Sequence, residues 1–196
     1  LISLIFGPIL IRALKRKKAG QEVRIDGPQT HLVKTGTPTM GGILILISIV
    51  ISVLLWQDLD NYFTWISLLS IVGFGLIGFI DDYLKVFRKS SEGLQARFKF
   101  SAQVVVSLII VMIIYMQDTG YAALLYLPFF KFPVLNLSVM YIPFAVILLV
   151  GFSNAVNLTD GLDGLASGLI LLVGLTMGII TYLTGRADYA EYLQIP

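Results

Sequence analysis

The chain of 196 residues contains no cysteine and a single histidine, His31. Without cysteine there is no disulfide framework, no thiol nucleophile and no cysteine-ligated zinc site. One histidine alone cannot form a multi-histidine metal centre. Charged residues are also scarce, at 13% of the chain, where an average soluble domain has about 25%. These absences exclude several catalytic chemistries and argue against a soluble globular protein.

Apolar residues are abundant instead, at 57% of the chain, with a mean hydropathy of +0.86. No signal-peptide pattern of basic head, short apolar core and cleavage site is present. The chain begins at Leu1 inside an apolar stretch and stops at Pro196 soon after another. We therefore expect a piece of a longer polytopic membrane protein.

The apolar runs predict helices, because irregular backbone cannot face lipid and a span takes roughly 20 helical residues. The predicted fold is an all-α polytopic membrane protein, with about five complete transmembrane helices plus the end of a first one. We expect residues 1–196 to form one partial membrane domain. The candidate spans are Leu1–Leu14, Gly41–Trp56, Trp65–Ile80, Phe98–Met116, Val139–Ser153 and Leu165–Leu183.

The positive charges are concentrated on one side of the predicted bundle. Twelve of the 14 Lys and Arg residues flank the first and third connections. The second connection contains two acidic residues, Asp58 and Asp60, and no basic residue. Lysine and arginine mark cytoplasmic loops, so residues 15–40 and 84–97 are predicted to be cytoplasmic loops. The twelve are Arg12, Lys15, Arg16, Lys17, Lys18, Arg24, Lys34, Lys85, Arg88, Lys89, Arg97 and Lys99.

Two adjacent carboxylates, Asp81 and Asp82, close the third apolar run. An aspartate deep in a bilayer costs about 2.5–3.5 kcal/mol on insertion scales, and the following Lys85 suggests the membrane–water boundary. One reading is a helix-end pair neutralised by nearby bases. In the other, one carboxylate holds a metal or phosphate-bound Mg²⁺ while its neighbour accepts a proton. Because position 85 is lysine, the pair is not the DDxxD motif of soluble prenyltransferases.

A second acidic cluster lies in residues 154–164, which we predict to be a cytoplasmic nucleotide-binding segment. Asp160 and Asp163 can share one helix face, and the glycines at 161 and 164 allow close approach of a ligand to backbone. The plainer reading is helix capping by Thr159 or Asp160. The D-G-x-x-A-R pattern of CDP-alcohol phosphotransferases fails here, because Ser167 follows Ala166.

Two further cytoplasmic stretches carry polar groups. The loop from His31 to Gly42 is rich in turn formers and hydroxyls, and Lys34, Thr39 and backbone N–H groups could hold a diphosphate. It lacks the order of a P-loop, so an ATP site is not supported. The bases in residues 93–100 either anchor the chain at the membrane or capture lipid phosphate.

These four stretches, HLVKTGTPTMGG, GFIDDYLKV, GLQARFKF and NAVNLTDGLDGLA, closely resemble the phospho-N-acetylmuramoyl-pentapeptide transferases. That family lies within the polyprenyl-phosphate sugar-1-phosphate transferase superfamily, and the resemblance runs nearly end to end. It implies transfer of phospho-MurNAc-pentapeptide from UDP-MurNAc-pentapeptide to undecaprenyl phosphate. The products would be lipid I and UMP, and the enzyme would work with Mg²⁺ on the cytoplasmic face of the bacterial inner membrane.

The resemblance also implies roles for individual residues. Asp81 and Asp82 would form the catalytic centre, where one deprotonates or orients the lipid phosphate, and both are candidate metal ligands. Lys85 and Lys99 would neutralise phosphate charge, and Lys34 and Thr39 would line the same cleft. The residues that match the nucleotide-sugar and uridine segment are Asn157, Asp160, Gly161, Leu162 and Asp163.

The family continues past Pro196 with more helices, a further aspartate that engages Mg²⁺ and a histidine-rich loop. We therefore expect residues 1–196 alone to have little or no activity. Several points stay open: which aspartate is the base, whether transfer takes one step or two, and whether the protein dimerises. No nucleic-acid partner is expected.

Other functions remain as alternatives. The nearest is a sibling transferase that uses UDP-GlcNAc as donor. In a cation- or proton-coupled transporter, the transport path would be lined by Asp81, Asp82, Asp160 and Asp163. The ionisable groups of such a path usually lie near the midplane of the membrane, whereas these aspartates are grouped near one face. A purely structural assembly subunit would leave the polar loops unexplained.

Overall fold

The structure is a computed structural model that describes residues 2–16, 40–88, 93–117, 122–127, 132–160 and 164–193. The described residues are mainly helical. The helices are α1 (Ile2–Arg16), α2 (Gly42–Trp56), α3 (Tyr62–Arg88), α4 (Ala96–Met116), α5 (Tyr141–Thr159), α6 (Leu165–Thr184) and α7 (Ala187–Leu193). A small antiparallel hairpin pairs β1 (Leu124–Leu125) with β2 (Leu135–Asn136), and the 3₁₀ turn Ser138–Met140 leads into α5.

The prediction of an all-α polytopic membrane protein is confirmed. Within the described residues, four helices are long and apolar enough to cross a membrane: Tyr62–Val86, Ala96–Met116, Ser138–Thr159 and Leu165–Thr184. The apolar helices at Ile2–Leu14 and Gly42–Trp56 are shorter. The fifth predicted complete span corresponds to α2, whose 15 residues rise about 22 Å at 1.5 Å each.

Helix α3 is longer at both ends than the predicted span Trp65–Ile80, since it runs for 27 residues to Arg88. At its start, the Asn61 side chain accepts a hydrogen bond of 2.9 Å from the Phe63 backbone N–H, as a capping residue does. Near its end, Lys85 pairs with carboxylates three and four residues earlier, spacings that stabilise a helix. The connection to α4 is therefore shorter than the predicted loop 84–97.

The chain forms two compact units, Leu1–Val150 and Gly151–Pro196. In the first unit, α3 packs against α2 on one side and α4 on the other. Glycines two residues apart make room on these two faces, since positions two apart point in nearly opposite directions. A Cβ at Gly73 would lie 2.8 Å from Val106 of α4, and one at Gly75 would lie 2.5 Å from Leu46 of α2. Small residues of this kind allow membrane helices to approach closely.

The buried part of the first unit continues from α4 to the first half of α5. Val111 of α4 packs with Val146 and Val150 of α5. One turn before Val111, the hydroxyl of Ser107 is fully buried, and no hydrogen-bond partner is recorded for it within the described residues. Polar and apolar groups thus share the inner face of α4, whereas the side chains of Phe98 and Phe100 are exposed.

The end of α5 corrects the capping interpretation of residues 154–164. Thr159 does not start the next helix, because its hydroxyl donates 2.8 Å to the Ala155 carbonyl within α5. Asp160 continues the same turn, with its backbone N–H 3.2 Å from the Val156 carbonyl. The residue before α6 is Gly164, at φ +82°, a left-handed conformation that glycine adopts without strain. Helix α6 therefore begins at Leu165.

We predict that Gly73→Ala weakens the packing of α3 on α4. The added Cβ meets Val106, whose β-branched side chain has few alternative rotamers, and overpacking of this kind costs about 1–3 kcal/mol. Gly78→Ala is the matched control, because a Cβ at Gly78 meets nothing within 4 Å. Unfolding in detergent would measure both variants. Equal stability of the two would contradict the close contact at Gly73.

Candidate active site

The acidic pair lies near the carboxyl end of α3. Asp81 lies 19 residues after Tyr62, about 28 Å along the helix axis, close to the roughly 30 Å thickness of the hydrocarbon core. Adjacent helical residues point about 100° apart, so the two carboxylates face different surroundings. The Asp81 side chain is 10% exposed, whereas that of Asp82 is 45% exposed.

The Asp81 carboxylate is held through both of its oxygens. Oδ1 accepts a hydrogen bond of 2.8 Å from the backbone N–H of Leu94, in the segment that precedes α4. Oδ2 lies 2.7 Å from Nζ of Lys85, one turn along α3, and 3.6 Å from Nζ of Lys99, in the first turn of α4. A charge this well buried is expensive unless it is paired and hydrogen-bonded, and here both conditions are met.

Lys85 bridges the two carboxylates. Its Nζ lies 2.7 Å from Asp81 Oδ2 and 3.3 Å from Asp82 Oδ1. The Asp82 carboxylate is thus held less closely, and nearly half of its side chain is exposed. The cluster combines two carboxylates with two ammonium groups, and its exposed surface lies on the Asp82 side.

The structure thus brings together four of the predicted site residues: Asp81, Asp82, Lys85 and Lys99. Sequence reasoning missed Leu94 because its contribution is a backbone N–H, which no side-chain pattern reveals. The cluster joins α3 to the start of α4 across the short connection between them. Of the two bases for which membrane anchoring was the alternative, Lys99 has a carboxylate partner in Asp81, whereas Arg97 donates a hydrogen bond to the Gln95 side chain.

The remaining predicted residues divide into two groups. Asn157, in the last turn of α5, and Asp160, just after it, are both exposed and belong to the unit Gly151–Pro196. The others lie outside the described residues, so their predicted roles stay predictions. They are Lys34, Thr39, Gly161, Leu162 and Asp163.

The carboxylate oxygens of the cluster are candidate ligands for the predicted Mg²⁺. Among the described residues, no group of three or more Asp, Glu, His or Cys side chains is close enough to hold a metal. Mg²⁺ is commonly bound by only one or two carboxylates, with substrate phosphates and water completing the shell. The exposed Asp82 carboxylate suits that mode, while Asp81 already has partners on both oxygens. The residues fit a phosphate-bound ion rather than an all-protein cage.

We predict that Asp81→Asn destabilises the protein more than Asp82→Asn does. The first change removes a buried charge from its contacts with Lys85, Lys99 and Leu94, and hydrogen bonds to charged groups contribute about 1.5–3 kcal/mol. The second removes one exposed ion pair, worth about 1 kcal/mol or less. Thermal unfolding in detergent measures the difference. A larger loss for Asp82→Asn would show that the burial difference does not govern stability.

Comparison with known proteins gives three further findings. The model of glycosyl transferase family 4 matches residues 63–195, which is more than half of the chain. Signature 1 of the phospho-N-acetylmuramoyl-pentapeptide-transferases matches residues 34–46. A curated phospho-N-acetylmuramoyl-pentapeptide-transferase from Thermodesulfovibrio yellowstonii is 46% identical over 194 residues.

The alignment with that relative covers 98% of this chain and 54% of the relative. The chain therefore spans about half the length of the curated relative it matches. The family match includes the four clustered residues and the segment around Asn157 and Asp160. The chain belongs to glycosyl transferase family 4, and it carries a signature of the phospho-N-acetylmuramoyl-pentapeptide-transferases.

Proposed function

We propose that the protein containing this chain transfers phospho-MurNAc-pentapeptide from UDP-MurNAc-pentapeptide to undecaprenyl phosphate, with release of UMP and formation of lipid I. The name of the 46% identical relative and the matched signature support this reaction. The observation that carries the proposal is the cluster of two carboxylates and two lysines at one end of α3. At the membrane surface, such a cluster would allow a polar substrate and a membrane-bound lipid phosphate to meet.

The chemistry of the cluster suits phosphoryl transfer. That reaction depends mainly on positioning and on neutralising the charge of phosphate oxygens. Lys85 and Lys99 are ammonium groups on two different helices, and both are directed at the same carboxylate oxygen of Asp81. Phosphate oxygens would join Asp81 as partners of these two ammonium groups when substrate binds, since each group has three N–H donors. Lys34 and Thr39 would line the same cleft, on the segment before α2.

The two aspartates would form the catalytic centre with different tasks. Asp82 has the more exposed carboxylate and lies 3.3 Å from Lys85, so it is better placed than Asp81 to accept a proton or orient the lipid phosphate. Asp81 would act on the same phosphates through the lysines that it holds. This division extends the interpretation of the sequence, which left the base unassigned.

Mg²⁺ would supply neutralisation of the diphosphate charge when it is bound. Asp82 is the described residue best suited to approach such an ion, and Asp81 is the second candidate. The roles of this chain's residues in holding and orienting phosphate do not depend on which ligands complete the ion's shell.

Residues of the second unit would bind the donor nucleotide. Asn157 and Asp160 are exposed at the end of α5 and offer an amide and a carboxylate for hydrogen bonding. Gly161, Leu162 and Asp163 would complete this segment. The concentration of positive charges on one side of the predicted bundle supports a cytoplasmic active site in the bacterial inner membrane.

The donor assay tests the proposal directly. The longest reading frame containing this chain, supplied with Mg²⁺ and undecaprenyl phosphate, is expected to release UMP from UDP-MurNAc-pentapeptide but not from UDP-GlcNAc. Asp82→Asn should reduce turnover by at least about 100-fold, since general acid–base groups contribute about 10²–10⁴-fold. Turnover with UDP-GlcNAc alone would assign the sibling reaction. No turnover with either donor, from folded protein, would favour the transporter alternative.

Charge removal at Lys99 gives a second test. Lys99→Gln is expected to raise the KM for undecaprenyl phosphate or for the UDP donor at least about tenfold, because charge-assisted contacts to phosphate are roughly twice as strong as neutral ones. Arg186→Gln is the matched control: Arg186 forms an exposed 3.0 Å pair with Asp188, far along the chain from the cluster. Steady-state kinetics with each substrate varied measures the effect. Unchanged KM values for Lys99→Gln would remove this lysine from the phosphate site.

A further inference from the structure

Gly93 lies directly against the carboxylate of Asp81. A Cβ built on Gly93 would overlap Asp81 Oδ1, and it would lie 2.8 Å from Lys85 Cε and 2.9 Å from Asp81 Cγ. Real Cβ atoms essentially never approach other heavy atoms this closely. Only a residue without a side chain can bring the backbone to this place.

The Asp81 carboxylate has little freedom to move away from such a Cβ. Its Oδ1 accepts the 2.8 Å hydrogen bond from Leu94, the residue after Gly93, and its Oδ2 is 2.7 Å from Lys85. A rotation that relieved the overlap would break at least one of these contacts. The close approach of Gly93 and the hydrogen bond from Leu94 therefore depend on each other.

We infer that Gly93 is a positioning residue for the proposed phosphoryl transfer. Its missing side chain lets Asp81 bind the connection between α3 and α4, and this contact, with the ion pairs, fixes Lys85 and Lys99 in one place. The two ammonium groups are then preorganised for substrate phosphate. This inference rests on the proposed function for its catalytic meaning, whereas the Gly93–Asp81 contact is a feature of the fold itself.

Gly93→Ala in the longest reading frame containing this chain tests the inference. We expect kcat to fall at least about tenfold, since a misplacement of about 1 Å near reacting groups can cost about 100-fold. We also expect Lys85 and Lys99 to react severalfold faster with an amine-acylating reagent, as read by mass spectrometry, because their carboxylate partner is displaced. Gly78→Ala is the matched control, with open space around its Cβ, and should change neither readout. Wild-type kcat and wild-type labelling in Gly93→Ala would overturn the inference.

The labelling separates the inference from the proposed function. Faster labelling in Gly93→Ala, together with no turnover of either donor by the wild-type protein, would support the Gly93–Asp81 contact and overturn the phosphotransfer. Turnover by the wild-type protein, with unchanged kcat and unchanged lysine labelling in Gly93→Ala, would support the phosphotransfer and overturn the positioning role of Gly93.

A second pair of variants keeps the inference testable if Gly93→Ala fails to fold. Asp81→Ala removes the carboxylate that a Cβ at position 93 would meet, and the remaining neighbour, Lys85 Cε, is part of a flexible side chain that can then move away. Gly93→Ala is therefore expected to cost no further stability in the Asp81→Ala background, as measured by thermal unfolding in detergent. The same loss of stability in both backgrounds would show that Gly93 does not act through Asp81.

Discussion

The buried carboxylate of Asp81 is the constraint on which this end of the protein depends. A charge withdrawn from water at a membrane boundary needs partners for both oxygens, and a single helix cannot supply them all. Here Lys85 comes from α3 itself, Lys99 from α4, and the Leu94 N–H from the connection between them. The cost of burying one charge is thus offset by contacts that tie two helices together.

The same contacts make the cluster suitable for phosphate. Two lysines held 2.7 and 3.6 Å from one carboxylate oxygen are already desolvated in part and directed at a negative group. In the proposed reaction, a phosphate oxygen joins the Asp81 carboxylate as a partner of these ammonium groups, each of which has three donors, so few groups need to reorganise. Preorganised charge of this kind is the main way that proteins accelerate phosphoryl transfer.

The helices next to the cluster pack as helices in membrane proteins do, rather than as helices in soluble proteins do. Between helices there is little hydrophobic driving force in lipid, so close backbone approach becomes more important. Gly73 and Gly75 allow it on opposite faces of α3, and α4 adds a buried face that runs to Val111. In the second unit, large apolar side chains such as Leu172 and Ile179 of α6 are exposed, as lipid-facing residues can be.

The amino-acid sequence by itself determined the class of protein. Long apolar runs with few charges belong in lipid, where a helix satisfies the hydrogen bonds of every backbone N–H and C=O group. The sequence also drew attention to Asp81 and Asp82, since charges beside an apolar run need a reason to be there, and the family resemblance added Lys85 and Lys99. Only the tertiary structure decided the difference between the two aspartates. Residues adjacent in sequence point about 100° apart on a helix, and which one is buried depends on where α4 and its connection pack. Likewise, the contribution of Leu94 is a backbone N–H and that of Gly93 a missing side chain, so both become visible only when α3 and α4 are brought together.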